Sequence, residues 1–293
     1  MEIRYDAQKT YMTDAEHFWP EAIFECGQCF RFVREPDASY TILAHRHRVN
    51  VYTPARNQAV LSPCTEEDFA FWRAYFDFGT DYAAVCSSFP EDARLKDSMA
   101  FGQGMRILRQ HPFETLISFI VSANNNIKRI QGILNRICER YGDALCDASG
   151  VPYHAFPTPK QLASGNCEEF YELGAGYRAP YIEKTARRVA EGFDLHALRT
   201  LPYEEAKKEL CTFAGVGEKV ADCVLLFSLG FLNAFPVDVW IKRVMQQRLG
   251  ASATKQEIVR YAQHHYGGYA GIAQQYLFYH ARCCGLDDRQ KGA

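Results

Sequence analysis

Short β-type runs of apolar residues come first along the chain, and helical periodicity follows them. The β-type runs are rich in aromatic and branched side chains and are bounded by turn residues such as Glu35-Pro36-Asp37. They predict strands at residues 30–33, 40–43 and 49–52. Aromatic residues at 69, 72, 75 and 76 then predict a helix from about 66 to 78. This first part of the chain is typical of a small β-rich module.

The pattern becomes helical beyond Phe101-Gly102-Gln103-Gly104, where we place a domain boundary. The predicted helices span residues 112–122, 127–140, 159–163, 167–173, 179–192, 203–211, 218–229, 239–249, 254–264 and 270–284, with turn-rich sequence at 142–159. We therefore expect an α+β protein. It would consist of an N-terminal antiparallel β module, residues 1–103, followed by an all-α domain, residues 104–293.

Length and charge agree with two parts of different character. The 293 residues are ample for two domains, and the formal net charge is −2. Residues 1–103 carry 10 Lys/Arg against 16 Asp/Glu, a net of −6, whereas residues 104–293 carry 23 against 19, a net of +4. A polyanionic partner would therefore meet the second part, although such an asymmetry also arises by chance.

Export and membrane insertion are not expected. The N-terminal MEIRYDAQKTYM lacks an apolar signal stretch, and apolar runs such as 224–227 are too short to cross a membrane. Eleven cysteines in an unexported chain predict reduced thiols and a cytoplasmic protein, nucleoid-associated in a bacterium or nuclear in a eukaryote. Cys26-x-x-Cys29 lacks the further ligands of a zinc site and the context of a thioredoxin-like motif, so neither is predicted.

The first candidate for chemistry is the turn Gly215-Val216-Gly217, which joins two predicted helices. Two glycines permit positive φ and close approach of a ligand. The first N–H groups of the following helix lack intrahelical partners and carry the positive end of its dipole, which suits a phosphate. A turn of this kind alone is also an ordinary tight connection.

Lys219 makes a functional interpretation stronger. It lies in the first turn of a helix, where a carboxylate is electrostatically preferred, and this position together with partial burial favours the neutral, nucleophilic amine. Cys223, four residues later, shares its helix face. Asp238 is suited to capping the next helix and to facing the amine at the same time.

These motifs resemble the helix–hairpin–helix DNA glycosylases, whose hairpin is followed by a Gly/Pro-rich loop and an aspartate. Gly215-Val216-Gly217, Lys219-Val220-Ala221-Asp222-Cys223 and Pro236-Val237-Asp238 stand at that family's spacing. The similarity extends from about Gly27 to about Phe278, and the Lys219 segment is similar to the 8-oxoguanine DNA glycosylases in particular. The hairpin would occupy residues 203–230.

The resemblance implies a bifunctional base-excision repair enzyme that acts on duplex DNA. Lys219 would attack C1′ of a flipped nucleotide and form a Schiff base, after which β-elimination cleaves the strand. Asp238 would stabilise the positive charge that develops on the sugar. Phosphates would dock on the backbone N–H groups of Gly215, Gly217 and Val220.

The resemblance also assigns four residues to the base. Cys223 and Phe278 would lie against its opposite faces, and Gln274 would bond its Watson–Crick edge. The Gly27 carbonyl would accept a hydrogen bond from N7–H, a donor that guanine lacks, so it attracts the oxidised base and repels the normal one. Without the resemblance, Phe278 would be an ordinary core aromatic.

Four further residues would contact the DNA around the lesion. Asn124 would fill the space left by the flipped nucleotide, Tyr177 would act as a wedge, and Arg129 and Arg178 would contact the orphaned base. Together they predict a preference for cytosine opposite the lesion. The Asn124–Arg129 segment also fits a capped helix with a solvated basic face.

Two residues depart from the family pattern, Ala214 where proline is usual and Trp240 where vertebrate members have histidine near a phosphate. Trp240 retains an N–H donor for a phosphate but has no charge. No cofactor is expected for catalysis, and the cysteine spacing of an iron–sulfur cluster is missing. The hairpin of the family often binds a cation that bridges to DNA, here through the main-chain carbonyls of Cys211, Phe213 and Val216.

Three alternatives stay open from the sequence. A glycosylase of the same fold for alkylated purine or adenine is one, although relatives for alkylated bases generally lack the lysine. A DNA-binding hairpin without activity would not need both Lys219 and Asp238. A Schiff-base enzyme with no DNA substrate leaves the hairpin and the Asn/Arg cluster unexplained. We expect a monomer whose partner is double-stranded DNA containing 8-oxoguanine.

Overall fold

The computed structural model describes residues 1–286 and begins with a six-stranded antiparallel sheet. Its strands are β1 Glu2–Asp6, β2 Lys9–Thr13, β3 Phe32–Arg34, β4 Tyr40–Ala44, β5 His47–Tyr52 and β6 Ala59–Ser62. They lie in the order β1-β2-β6-β5-β4-β3. A separate ribbon pairs β7 Ala144–Cys146 with β8 Pro152–His154.

Side-chain alternation turns one face of the sheet towards an apolar core. On the central strands Ile42 pairs with Val49, and Tyr40 pairs with Val51. All four side chains are buried, and because every second residue of a strand points the same way, they share one face. They belong to a core that also contains the buried aromatic residues Phe24, Trp72 and Phe76.

The rest of the described chain is mainly helical, which confirms the predicted α+β fold class. The helices are α1 Pro20–Phe24, α2 Glu66–Tyr75, α3 Tyr82–Ser88, α4 Ala93–Phe101, α5 Pro112–Ser122, α6 Ile127–Tyr141, α7 Pro159–Ala163, α8 Cys167–Glu172, α9 Ala179–Ala190, α10 Tyr203–Cys211, α11 Glu218–Val224, α12 Val239–Leu249, α13 Lys255–Tyr266 and α14 Ala270–Cys284. Within residues 1–286, no helix has the length and apolar character needed to traverse a bilayer.

Several elements of the N-terminal part were not predicted, for identifiable reasons. Strand β1 is only five residues long and almost wholly exposed, so its short alternation of polar and apolar residues does not stand out as a core strand. Helices α3 and α4 are short and are begun by the capping carboxylates of Asp81 and Asp92 rather than by a long apolar stripe. The region 142–159, predicted as turns, contains the ribbon β7–β8.

The segment predicted as one helix over 218–229 changes its winding half-way. Helix α11 is α-helical from Glu218 to Val224, and residues Leu225–Leu229 form a π-helical turn that ends at Gly230 with φ +85°. Such wide turns are frequent at functional sites, because the extra residue redirects side chains. Here the turn contains Phe227, which lines the pocket described below.

The two parts of the chain share packing. Cys26 and Phe30, from the N-terminal part, are buried in the core of the helical part. Arg31 forms a buried ion pair with Glu114 of α5 at 3.3 Å, and the other oxygen of that carboxylate accepts a hydrogen bond from the backbone N–H of His45 at 2.7 Å. The boundary that we propose near residue 103 therefore divides the sequence without separating the cores.

Candidate active site

The turn between α10 and α11 places its two glycines differently. Gly215 has φ +77°, and a Cβ there would lie 2.4 Å from the ring of Tyr181, so both backbone conformation and space require glycine. Gly217 has φ −94° and caps α11. Of the two glycines, Gly215 therefore uses positive φ, and Gly217 leaves open space in front of the helix.

This turn exposes a row of backbone donors. Among residues 1–286, the N–H groups of Gly215, Gly217 and Val220 donate to no backbone acceptor. By contrast, the N–H of Val216 donates to the carbonyl of Phe213, and that of Ala221 donates to the carbonyl of Gly217. Gly217 supplies no side-chain cap. Unpaired N–H groups at a positive helix end form a favourable place for a phosphate.

A small pocket lies behind the hairpin and gathers residues from distant parts of the chain. Its volume is about 40 Å³, and it is lined by Gly27, Phe119, Lys219, Cys223, Phe227, Pro236, Asp238, Gln274, Gln275 and Phe278. The six residues predicted from the sequence to catalyse or bind the base all belong to this set. A larger cleft of about 440 Å³ beside α10 and α13 is lined mostly by charged side chains.

Lys219 reaches this pocket from the first turn of α11. The residue is half-buried, and its Nζ lies 5.1 Å from the centre of the Phe119 ring. Cys223 lies four residues further along the same helix, and burial raises the pKa of its thiol to about 11 while the charge of Lys219 acts in the opposite direction. At neutral pH Cys223 is therefore a neutral thiol that packs in the pocket rather than a competing nucleophile.

Asp238 combines both roles that its sequence position suggests. It is the N-cap of α12 and accepts a hydrogen bond from the N–H of Ile241 at 2.8 Å. Burial raises the pKa of its carboxyl, while the bond from Ile241 and the charge of Lys219 act in the opposite direction. A half-buried carboxylate that senses a nearby amine can stabilise positive charge there.

Gln274 presents an unused acceptor to the pocket. The residue is 3% exposed, and its buried Oε1 has no hydrogen-bond partner among the described residues. A buried acceptor without a partner is costly, so this amide is suited to a ligand that donates hydrogen bonds. Gly27, at φ +82°, and Phe278 complete this side of the pocket.

The residues predicted to occupy the gap in the DNA form a separate cluster at the start of α6 and of α9. Asn124 is exposed with φ +49°, and Arg129 is exposed in the first turn of α6. Tyr177 is 54% exposed, and its hydroxyl donates to the carbonyl of Ala123 at 3.1 Å. These three side chains are accessible to a large ligand.

The structure differs from the expectation at Arg178. This side chain is 3% exposed, and its guanidinium donates to the carbonyls of Ala123, Asn124 and Ala175. Its donors are therefore spent within the protein, and it supports the left-handed turn at Asn124. A contact from Arg178 to a base would require it to give up these carbonyls.

Trp240 has a cationic neighbour that the sequence did not reveal. Its ring is half-buried in the first turn of α12, and the guanidinium of Arg243 lies 5.9 Å from its centre. Lys242 and Arg243 are both exposed, and neither forms an ion pair among residues 1–286. Positive charge is therefore present beside Trp240 although the indole has none.

The carbonyls predicted to hold a cation lie at the end of α10 and in the hairpin. Within residues 1–286, those of Cys211 and Val216 accept no backbone hydrogen bond, whereas the carbonyl of Phe213 accepts one from Val216 at 3.1 Å. Neutral oxygens of this kind suit a hard or monovalent cation. Two of the three are thus available, and the third has a second lone pair.

Sequence reasoning missed several pocket residues. Phe119 and Phe227 stack at 5.6 Å and form the floor under Lys219, but each lies in a continuous apolar run that reads as core. Gln275 lies next to Gln274 in the chain, and only Gln274 was assigned a role in binding the base. A buried glutamine in an apolar helix is itself a signal, because such an amide must find partners.

The family model described as the N-terminal domain of 8-oxoguanine DNA glycosylase matches residues 10–116. The model described as HhH-GPD superfamily base excision DNA repair protein, named for the helix–hairpin–helix and the Gly/Pro-Asp loop, matches residues 117–264.

Individual relatives agree with these models. The chain is 38% identical over 223 residues to a probable N-glycosylase/DNA lyase of Methanothermobacter thermautotrophicus, covering 69% of this chain and 71% of that one. It is 34% identical over 274 residues to N-glycosylase/DNA lyase OGG1 of Arabidopsis thaliana, covering 87% and 75%. The solved structure of Clostridium acetobutylicum 8-oxoguanine glycosylase/lyase, in complex with double-stranded DNA containing cytosine opposite 8-oxoG, aligns with a TM-score of 0.92 at 38% identity over 96% of this chain and 98% of that chain.

Proposed function

Because the chain belongs to the HhH-GPD superfamily of base-excision DNA repair proteins and carries the N-terminal domain of 8-oxoguanine DNA glycosylases, we propose that its pocket excises 8-oxoguanine through a Schiff base on Lys219. It is a DNA N-glycosylase/lyase that acts on double-stranded DNA. The observation that carries the residue assignment is the meeting of Lys219, Asp238 and the unpaired Gln274 acceptor in one pocket.

The base is recognised in this proposal by groups from both ends of the chain. The Gln274 amide bonds the Watson–Crick edge, where a purine offers N–H donors to the free Oε1. Phe278 and Cys223 enclose the ring, and the Gly27 carbonyl accepts from N7–H.

The chemistry uses Lys219 as an amine nucleophile. Its lone pair forms a bond to C1′ as the bond from C1′ to the base nitrogen breaks, and the base leaves with the bonding electrons and takes up a proton. The resulting ammonium gives up one proton, and the C1′–O4′ bond then breaks as the ring oxygen takes up a proton, which leaves a cationic Schiff base with one hydrogen still on the nitrogen. Asp238 stabilises the positive charge on the sugar during bond breaking and accepts a proton near the amine.

Strand cleavage follows from the same intermediate. The cationic Schiff base acidifies the hydrogen on C2′, and loss of that proton expels the 3′ phosphate as the C3′–O bond breaks. This β-elimination accounts for the lyase activity, and none of its steps at C2′ and C3′ requires a metal ion. The backbone donors of Gly215, Gly217 and Val220 hold flanking phosphates while it proceeds.

Opposite-base preference belongs to the exposed cluster at Asn124. We propose that Asn124 fills the space of the flipped nucleotide, that Tyr177 wedges the stack and that Arg129 bonds the orphaned cytosine. Arg178 reaches the same base if it exchanges its carbonyl partners for the base edge. Trp240 donates its indole N–H to a phosphate beside the lesion.

A cation held by the carbonyls of Cys211, Phe213 and Val216 would bridge the hairpin to the DNA backbone and would take no part in bond breaking. We further propose that the enzyme acts as a monomer in the compartment that holds the DNA, the nucleoid region of a bacterium or the nucleus of a eukaryote.

Borohydride trapping tests the nucleophile. The protein is incubated with a duplex carrying 8-oxoguanine opposite cytosine, and borohydride is added to reduce the imine to a stable adduct. Adduct is expected for the wild type and for Lys160→Gln, a control at an exposed lysine of α7, but not for Lys219→Gln. Excision of a different base with no adduct on this duplex would reject the assignment.

A further inference from the structure

The loop that contains Gly27 is held by side chains from other elements at the carbonyls around the glycine. Gln275 of α14 donates to the carbonyl of Cys26 at 2.6 Å, and Arg282, also of α14, donates to that of Glu25. On the other side, Gln110 donates to the carbonyl of Gln28 at 2.7 Å. Among the described residues, the Gly27 carbonyl itself accepts no hydrogen bond.

The two α14 side chains lie on one face of that helix. They are seven residues apart, which is two helical turns, and Phe278 lies between them. The Arg282 guanidinium is 5.5 Å from the centre of the Phe278 ring. A Cβ on Gly27 would meet Arg282 at 2.9 Å and Phe278 at 3.3 Å, so the loop is pressed closely against the helix.

We propose that Gln275 and Arg282 are positioning residues that aim the Gly27 carbonyl at the base and thereby determine discrimination between 8-oxoguanine and guanine. Their bonds to the two preceding carbonyls fix the orientation of the peptide planes before Gly27. This residue has φ +82°, and because it has no side chain its own backbone torsions are the least restricted in the loop. Arg282 also fixes the ring that covers the base. This inference rests on the proposed function of the pocket.

The physical consequence is a loss of selectivity rather than of chemistry. A carbonyl held in place attracts the N7–H of the oxidised base and repels the lone pair at N7 of guanine. If the loop rotates, both effects weaken together, whereas Lys219 and Asp238 stand on α11 and α12 and keep their positions. Loss of one hydrogen bond of this kind corresponds to a change of about three- to ten-fold in a rate or a binding constant.

The experiment uses three variants of the full chain. Gln275→Met and Arg282→Met keep side-chain volume and remove the donors, and Arg282→Lys keeps one donor. Single-turnover rates are measured for excision of 8-oxoguanine opposite cytosine and for cleavage at a preformed abasic site, which contains no base to recognise. Affinities for the 8-oxoguanine duplex and for undamaged duplex are measured in a Lys219→Gln background.

Both methionine variants should excise 8-oxoguanine about three- to ten-fold more slowly and cleave the abasic site within two-fold of the wild-type rate. The ratio of the two affinities should fall by a similar factor, and Arg282→Lys should recover part of it. Arg260→Met, at an exposed arginine of α13, controls for loss of positive charge and should leave the affinity ratio unchanged.

Equal loss of both activities together with a lower melting temperature would mean a merely structural role and would overturn the inference, as would an unchanged affinity ratio. If the buried Gln275 variant fails to fold, the half-buried Arg282 pair still decides the question. Failure of the wild type to excise 8-oxoguanine would instead reject the proposed function, so the two failures are distinguishable.

Discussion

Asp238 uses one carboxylate for a helix cap and for the chemistry proposed at the pocket, and two substitutions can separate these roles. Asparagine is also a good N-cap, so Asp238→Asn should keep the bond from Ile241 and lose the charge. We expect the free energy of unfolding to change by less than about 1 kcal/mol and excision to slow by roughly 10²-fold or more. Asp238→Ala should additionally lose about 1 kcal/mol of stability.

The pH dependence of excision should identify the same group. Burial raises the pKa of Asp238, and the proposed role needs the carboxylate, so activity is present above this pKa and is lost as pH falls through it. The acid limb of the single-turnover rate should therefore lie above the usual range of an aspartate. That limb should disappear from the residual activity of Asp238→Asn, and an identical limb in both proteins would assign it to another group.

Arg243 is expected to supply the charge that Trp240 lacks. Both Lys242 and Arg243 are exposed within two turns of Asp238, and Arg243 rests over the indole. If Arg243 contacts a phosphate, Arg243→Gln should weaken DNA binding and reduce the slope of log K against log salt by about 0.9. Arg56→Gln, at an exposed site of the N-terminal part, is the charge-matched control and should leave the slope unchanged.

At the scale of elements, the hairpin is held together by a buried polar cluster rather than by apolar contacts alone. Asp222 of α11 accepts from the hydroxyl of Tyr203 at 2.6 Å and from Nζ of Lys207 at 3.0 Å, both on α10. Burial raises the pKa of Asp222 to about 6. These bonds link α10 and α11, the two helices joined by the turn at residues 215–217, so the cluster fixes the spacing of the backbone donors in that turn.

Removal of Lys207 should therefore destabilise the hairpin in a pH-dependent way. Lys207→Met leaves a buried carboxylate without its cation, and we expect a loss of roughly 2–4 kcal/mol at pH 7.5. Lys207 lowers the pKa of Asp222, so its removal raises that pKa above about 6, and the deficit should shrink as pH falls from 7.5 towards 6 because Asp222 of the variant takes up a proton. Urea unfolding at pH 7.5 and at about pH 6 measures this deficit. The double variant Lys207→Met/Asp222→Asn should recover most of the stability that is lost at pH 7.5.

How far the sequence predicts an element depends on what makes that element. Helices α5 and α12 were predicted with their exact bounds, because a proline and an aspartate begin them and a continuous apolar face follows. Strand β1 was missed because its side chains face solvent. The π-helical turn was missed because periodicity within a short apolar run cannot distinguish windings.

The site divides in the same manner. Lys219 stands out in the sequence because a cation is unfavourable in the first turn of a helix, and Asp238 stands out because an aspartate is a favourable N-cap. Gly27 and Gln274 were assigned from the resemblance to the glycosylase family. The contacts of Arg178 and Arg282 could not be predicted, since both depend on main-chain carbonyls of distant segments. A bond to a backbone carbonyl selects no particular residue type at the acceptor and leaves no pattern.

At the scale of the whole molecule, the two parts meet at a group of histidines. His45, from the turn between β4 and β5, stacks on His111 at the start of α5 with ring centres 4.2 Å apart, and His196 packs against His111 at 5.5 Å. Arg31, Arg46 and Arg199 also act on these rings, and Glu114 binds the backbone at His45. The junction therefore contains several positive groups and little to compensate protonated imidazoles.

Acid should loosen this junction before it affects the rest of the protein. Burial lowers the pKa of His111 to about 3 and also lowers that of His45. The unfolded chain thus binds protons at higher pH than the folded chain, so the stability is fully present above pH 6.5 and is lost as pH falls from there towards 3. For His111 alone the loss at pH 5 is on the order of 2 kcal/mol.

The variant His111→Phe isolates this effect, because phenylalanine keeps a ring against His45 but cannot take up a proton. Urea unfolding is compared at pH 7.5 and pH 5.0 for wild type and variant. The wild type should lose more stability between the two pH values, by on the order of 2 kcal/mol. Equal losses would show that His111 does not govern the junction, and the acid sensitivity would then belong to carboxylates elsewhere. The Gly27 loop is anchored in the core of the helical part through Cys26 and Phe30 and in that of the N-terminal part through Cys29. Weakening of the junction should therefore also lower 8-oxoguanine excision at pH 5 while the secondary structure persists.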